Sequence, residues 1–304
     1  RVALRWLRTR GAFEDALSLA AALSRFWWQH GHYTEGRSHL EALLDRPETQ
    51  ARPIVWATAM TGLGLLLHKQ GVYDQAVATL EAAVKAWREI GVQKGLGRAL
   101  WALGFTLLSR GSTAAEAAFR ESFDAAQAAR DEWVMGASLW GLGRLARYQG
   151  DLHRATNLLE QSLVGAQALG NPLAIVTSLL GLAEVAQDKE DYEREVELLG
   201  QSLPLYRTMR EYWGIAGCLE GAAAVAAARQ RPADAARLFG ASSALREKVG
   251  MPLPVINQAP YERAMGATRS MLSEAAFAAA WKEGQVMTLD EAIASALADV
   301  CART

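Results

Sequence analysis

Tryptophan and arginine are the residues of this chain best suited to recognition, and ten tryptophans occur. Trp101 and Trp140 hold equivalent places in successive segments, and Arg144 and Arg147 follow Trp140. Aromatics and Arg are enriched in binding hot spots, and Arg can clasp a carboxylate through two parallel hydrogen bonds. Each tryptophan taken singly also fits packing between elements; the four residues together point to a binding face. The residues suited to catalysis read differently. Gly91-Val92-Gln93-Lys94-Gly95-Leu96-Gly97 looks like a phosphate loop, yet it follows a helical pattern and lacks the GK[ST] ending, so it reads as a connection. His30, His32 and His39 form a local group whose spacing does not secure metal geometry, and they read as solvated loop residues. Glu193 and Glu197 share a charged helical face with Arg194 and read as solvated surface. No nucleophile, base and acid converge, so no catalytic residue, metal or cofactor is assigned.

What must position these side chains is a repeat. Gly62-Leu63-Gly64…Gly71, Ala102-Leu103-Gly104…Gly111, Gly141-Leu142-Gly143…Gly150, Gly181-Leu182-Ala183…Glu190 and Gly221-Ala222-Ala223…Gln230 start 40, 39, 40 and 40 residues apart. A weaker copy, Ala22-Leu23-Ser24…Gly31, precedes them by 40. Such a fixed period is the signature of a solenoid, in which each unit packs on its neighbours and no single core is needed.

One copy shows the physics. Leu139, Leu142, Leu145 and Ala146 recur at helical spacing, and Gly150-Asp151 ends that helix and caps the next. Leu152, Ala155, Leu158, Leu159, Ser162 and Leu163 mark the face of a second helix, which Gly170-Asn171-Pro172 stops. Each unit is a helical hairpin. Gly64, Gly104, Gly143, Ala183 and Ala223 occupy one place in the first helices. Ala76, Ala115, Ala155 and Ala235 occupy another in the second helices, where Glu195 is the exception. Gly in mid-helix costs about 1 kcal/mol against Ala, so its recurrence implies that the helices approach closely there. Tyr33, Tyr73 and Tyr192 are expected to brace the turns.

Composition bounds the rest. Hydrophobic residues make up 51% of 304, enough for a continuous apolar seam, and the net charge of −1 argues against a nucleic-acid binder. Cys218 and Cys301 are expected to be buried free thiols in a reducing cytosol, with a disulfide between them as the alternative. No apolar run is long enough to span a membrane. The chain begins at Arg1 rather than Met, and a fragment of a longer protein is expected.

Leucine-glycine, glycine seven residues on, an aromatic two beyond and alanine three beyond that resembles the tetratricopeptide repeat, lengthened by about six residues over the usual 34. The longer form resembles the sensor arrays of bacterial signal-transducing (STAND-type) ATPases, including LuxR-type and maltose-activator-type transcriptional regulators. Ala3-Leu4-Arg5-Trp6 through Leu23, with Phe26-Trp27 and Gly31 to Arg37, resembles the stretch after their ATPase and winged-helix modules. Ala235 to Ala241, Gly250 to Pro254, Tyr261-Glu262 and Ala276 to Gly284 resemble their ending. No GxxxxGK[ST] loop or helix-turn-helix is identifiable, so neither ATPase activity nor DNA binding carries over.

The resemblance implies an all-α, right-handed superhelix of about six hairpins, near 13–50, 53–92, 93–131, 132–171, 172–211 and 212–250, making an array over 1–250. Three helices over 251–304 cap it: one starting at Pro260, one capped by Ser273, and one opened by a Thr288–Glu291 capping box. It also implies that first helices line a concave groove. This places Arg25, Trp28, His68, Trp101, Phe105, Trp140, Arg144, Arg147, Tyr148 and Glu184 along the groove, with Thr61, Leu65, Leu108, Leu180 and Gln187. The expected function is a cytoplasmic sensor module that binds a protein, peptide or small effector, controlling an attached ATPase and its output. A constitutive scaffold and a peptide-pheromone receptor are the alternatives.

Overall fold

A computed structural model describes residues 1–301, the side chains of 299–301 excepted. The described residues form sixteen α-helices and one short 3-10 helix, with no strand among them. They divide into two compact units, Arg1–Gly141 and Leu142–Thr304.

The first unit opens with α1 (Val2–Thr9) and continues as helix pairs: α2 (Phe13–Gln29) with α3 (Tyr33–Leu44), α4 (Pro53–Lys69) with α5 (Tyr73–Ile90), and α6 (Gln93–Ser109) with α7 (Ala115–Ala129). The unit boundary falls inside α8 (Glu132–Tyr148). The second unit continues through α9 (Leu152–Ala168), α10 (Pro172–Asp188) with α11 (Tyr192–Met209), and α12 (Tyr212–Ala228) with α13 (Pro232–Val249). It ends with α14 (Val255–Ser270), α15 (Glu274–Gln285) and α16 (Leu289–Cys301). Within each unit a first helix packs on its own partner and on the next first helix, as α4 does on α5 and α6, and α10 on α11 and α12. This is an α-solenoid.

The turns explain the hairpins. Gly71 lies at φ 74°, and the Val72 N–H donates to the Leu67 carbonyl, closing the helix end on itself. Glu190 and Gln230 take the same left-handed conformation at φ 59° without being glycine. The mid-helix glycines are steric: a Cβ on Gly64 would lie 2.4 Å from Leu80, on Gly104 2.8 Å from Phe119, and on Gly143 2.7 Å from Leu159. Opposite them, Ala76, Ala115, Ala155 and Ala235 are fully buried.

A second periodic device joins neighbouring pairs. Ser122 Oγ meets Ser138 Oγ at 2.9 Å in the first unit. In the second, Ser162 meets Ser178 at 3.0 Å and Ser202 meets the Cys218 thiol at 3.5 Å. Cys218 is thus a free, buried thiol in a serine's place; the side chain of Cys301 lies outside the described residues.

The C-terminal helices differ from expectation in one respect. Pro260 does not start a helix: α14 begins at Val255, capped by Pro254, and Pro260 lies inside it. Proline's fixed φ suits either place, and here Pro254 supplies the extended residue before the first turn. α15 lies against α13 so closely that a Cβ on Gly240 would come within 2.3 Å of the Trp281 carbonyl. Ser273 Oγ accepts from the Ala276 N–H, and Thr288 and Glu291 form the reciprocal capping box. α16 packs on α11, α12 and α13. No described helix is long and apolar enough to cross a membrane.

Candidate functional site

The sequence-assigned residues fall into two groups, one in each unit, and each is described by itself. In the first unit, Arg25 is exposed and Trp28 is half-buried, with the Lys69 ammonium 5.0 Å from its ring centre. His68, Trp101, Phe105 and Trp140 belong to one aromatic cluster. His68 lies 4.1 Å from Phe105, Trp101 stacks on Phe105 at 5.8 Å, and Phe105 meets Trp140 at 5.7 Å. Tyr73 and Trp133 extend the cluster, edge-on to His68 and Trp101. Trp101 and Trp140 are only 8% and 7% exposed, so both are packed within the unit. Phe105, Tyr73 and Trp133 are the half-buried members of the cluster. Burial pulls the His68 imidazole down to about 3, with Lys69 adding to it, so the cluster is neutral at physiological pH.

In the second unit, the end of α8 and the end of α10 present a buried lattice of charge. Arg144 Nη2 donates to Glu184 Oε1 at 3.0 Å; Arg147 donates to Glu184 Oε2 at 3.0 Å and to Asp188 Oδ2 at 2.6 Å. The arginines sit three residues apart on one helix and the acids four apart on the other, so both pairs share a face. Arg144 is only 3% exposed. Burial lowers its affinity for the proton, and Glu184 opposes that shift. Its guanidinium also lies over the Trp213 ring at 5.6 Å. Tyr148, on the same helix, is exposed.

Helix α14 completes this group with residues that carry no signal in the sequence. Asn257 Oδ1 accepts from Arg144 at 2.8 Å, its amide donates to Glu184 at 3.3 Å, and Arg263 reaches Asp188 at 3.4 Å. Farther along, Arg246 clasps Glu220 through Nε at 2.6 Å and Nη2 at 3.0 Å, and Ser242 donates to the same carboxylate. Beneath α14 lies a cavity of about 40 Å³ lined by Arg147, Glu184, Glu195, Glu220, Pro260, Tyr261 and neighbours. Glu195 is 1% exposed, and its Oε2 has no hydrogen-bond partner. Burial pushes its carboxyl well above the usual range, and Asp188 and Glu184 add to that while Arg147 opposes it. The one available signal for Glu195 was its departure from the alanine register.

Comparison with known proteins bears on the fold that carries these residues. Residues 56–90 match the family model described as tetratricopeptide repeat. Over 161 residues, half of the chain, the sequence is 30% identical to proteins named "Putative HTH-type transcriptional regulator" in Mycobacterium bovis and Mycobacterium tuberculosis. The chain spans 18% of the length of those relatives. The Rap protein complexed with competence and sporulation factor has a TM-score of 0.59 at 10% identity, over 84% of this chain and 76% of that one. BtubC (BKLC) from P. vanneervenii has a TM-score of 0.52 at 18% identity, over 68% of this chain and 86% of that one. The chain thus carries a tetratricopeptide-repeat segment and shares the α-solenoid fold of these two structures.

Proposed function

We propose that the chain is the effector-binding module of a larger cytoplasmic regulator, taking up a protein or peptide on its first helices and passing that event to an attached ATPase and output domain. The observation that carries the reading is the Arg144–Arg147–Glu184–Asp188 lattice. Buried ion pairs seldom stabilise a fold better than apolar side chains of the same size. A solenoid that keeps three of them, among four residues of its first helices, has kept them for recognition. In the first unit, taken by itself, the half-buried Phe105 of the aromatic cluster offers a contact of the kind that anchors peptides. The likeness to HTH-type regulators that extend far beyond the matched region supports a place inside a longer protein.

The test is an array of random peptides probed with the labelled chain, alongside Arg144→Lys and Phe105→Ala. Arg144→Lys keeps charge but loses the planar fork. A set of peptides should bind the parent chain, and each should lose about tenfold, or about 1.4 kcal/mol, on one or other variant. Absence of binding, or equal binding by all three chains, rejects the reading. A peptide-receptor role is the second reading, favoured by the fold shared with Rap, which is complexed with competence and sporulation factor. A constitutive scaffold is separated from both by the coding sequence upstream of Arg1, where an in-frame phosphate loop supports the regulator.

A further inference from the structure

We propose that α14 is an intrachain occupant of a peptide site on the first helices of the second unit, and that the segment displacing it carries a carboxamide for Arg144 and Glu184 and a basic side chain for Glu195. This rests on the interaction-module reading and deepens it.

α14 is held by polar contacts beside a modest apolar face, in which Tyr261 meets Phe239 edge-on and Met265 packs against Ala236, Phe277 and Ala280. Of its side chains only those of Ile256 and Thr268 are buried, whereas Asn257 and Arg263 make its hydrogen bonds to Arg144, Glu184 and Asp188. Pro260 has no N–H for the Ile256 carbonyl, so the turn carrying Asn257 is weakly tied to the rest of the helix. Met251-Pro252-Leu253-Pro254, which leads into it, is non-helical, so α14 can leave without unwinding α13.

The fit is also incomplete. The cavity beneath α14 is walled on the α14 side by Asn257, Pro260, Tyr261 and Ala264. Pro260 and Ala264 offer no side-chain donor, and Glu195 Oε2 is left alone. Glu184 and Glu220 are already satisfied by arginines; Glu195 is the carboxyl without one. A buried acceptor left unmade is costly. Nothing in the helix packing calls for an acid there, because the equivalent residues Ala76, Ala115, Ala155 and Ala235 pack with a methyl group. A segment bearing a lysine where α14 bears Ala264 meets the one group that α14 neglects.

Two fluorescein-labelled peptides test this by anisotropy against the full chain: residues 255–270 as they stand, and the same with Ala264→Lys. The resident helix competes, so apparent affinity scales with the fraction of molecules whose site is open. The chain carrying Asn257→Ala and Arg263→Ala, and the milder Arg263→Ala alone, should bind the first peptide more tightly than the parent, by about tenfold for the double variant. The lysine peptide should gain about a further tenfold, and that gain should vanish on a Glu195→Ala chain. Hydrogen exchange over 255–270 should rise when peptide binds while that of α13 holds. No binding of either peptide to any chain, or unchanged exchange in α14, overturns the proposal; a lysine gain that survives Glu195→Ala overturns the assigned chemistry. If array peptides still bind the parent chain while α14 stays protected, the strap fails and the module reading stands.

Discussion

Glu195→Gln removes one titrating proton from the second unit and changes almost no volume. The folded chain holds Glu195 protonated well above the ordinary 4.5, chiefly because it is buried, whereas the unfolded chain releases that proton near 4.5. The sign follows. Stability from this group is fully present below about pH 4.5 and is lost as pH rises through the raised folded value. Within that window each pH unit removes on the order of 1 kcal/mol, against a total of roughly 5–15 kcal/mol. Glutamine cannot ionise, so the variant lacks the slope. Urea unfolding of both chains, followed by circular dichroism from about pH 5 to about pH 8, isolates the effect, because every other titrating group cancels in the difference. The two should come closest at the acidic end and diverge in favour of glutamine as pH rises. Curves parallel throughout would refute a buried, unpaired Glu195 carboxyl.

Other perturbations bear on the frame. Glu190→Gly relieves a left-handed residue at φ 59° and should add about 1 kcal/mol, raising the melting temperature by about 2–4 °C. Gly284→Ala puts a Cβ 1.9 Å from the Arg237 carbonyl and should cost about 3 kcal/mol by forcing α15 off α13, measurable by thermal melting. Burial pushes the Cys218 thiol up to about 12, so maleimide should label its peptide only after denaturation, as read by mass spectrometry.

The helix pairs are legible in the sequence because the same steric demand recurs every 40 residues: Gly64, Gly104 and Gly143 face Leu80, Phe119 and Leu159, which themselves recur at that period. Asp151, Ser273 and Thr288 are legible as caps for the same reason, since capping is settled within three residues. The charge lattice is half legible. Arg144, Arg147 and Glu184 follow from register, but Asn257 lies 113 residues from Arg144, and no local pattern announces that contact. Pro260 misleads because proline is tolerated in several places, and only the neighbouring Pro254 decides which. Ser122, Ser162 and Ser202 stand at the repeat period yet read as ordinary small polar residues, until their partners sixteen positions on are seen to face them.

Those paired hydroxyls have a mechanical consequence. A hydroxyl bonded to a hydroxyl across two helices resists sliding, because a slip of one residue breaks that bond, even where Ser178 keeps its bond to the Ala174 carbonyl. The Ser162–Ser178 joint is such a latch, whereas at Ser202 the partner is a thiol, a weak donor at 3.5 Å. Under tension the second unit should therefore yield first between α11 and α12. Steered pulling would find its softest seam on the helix that carries Glu195.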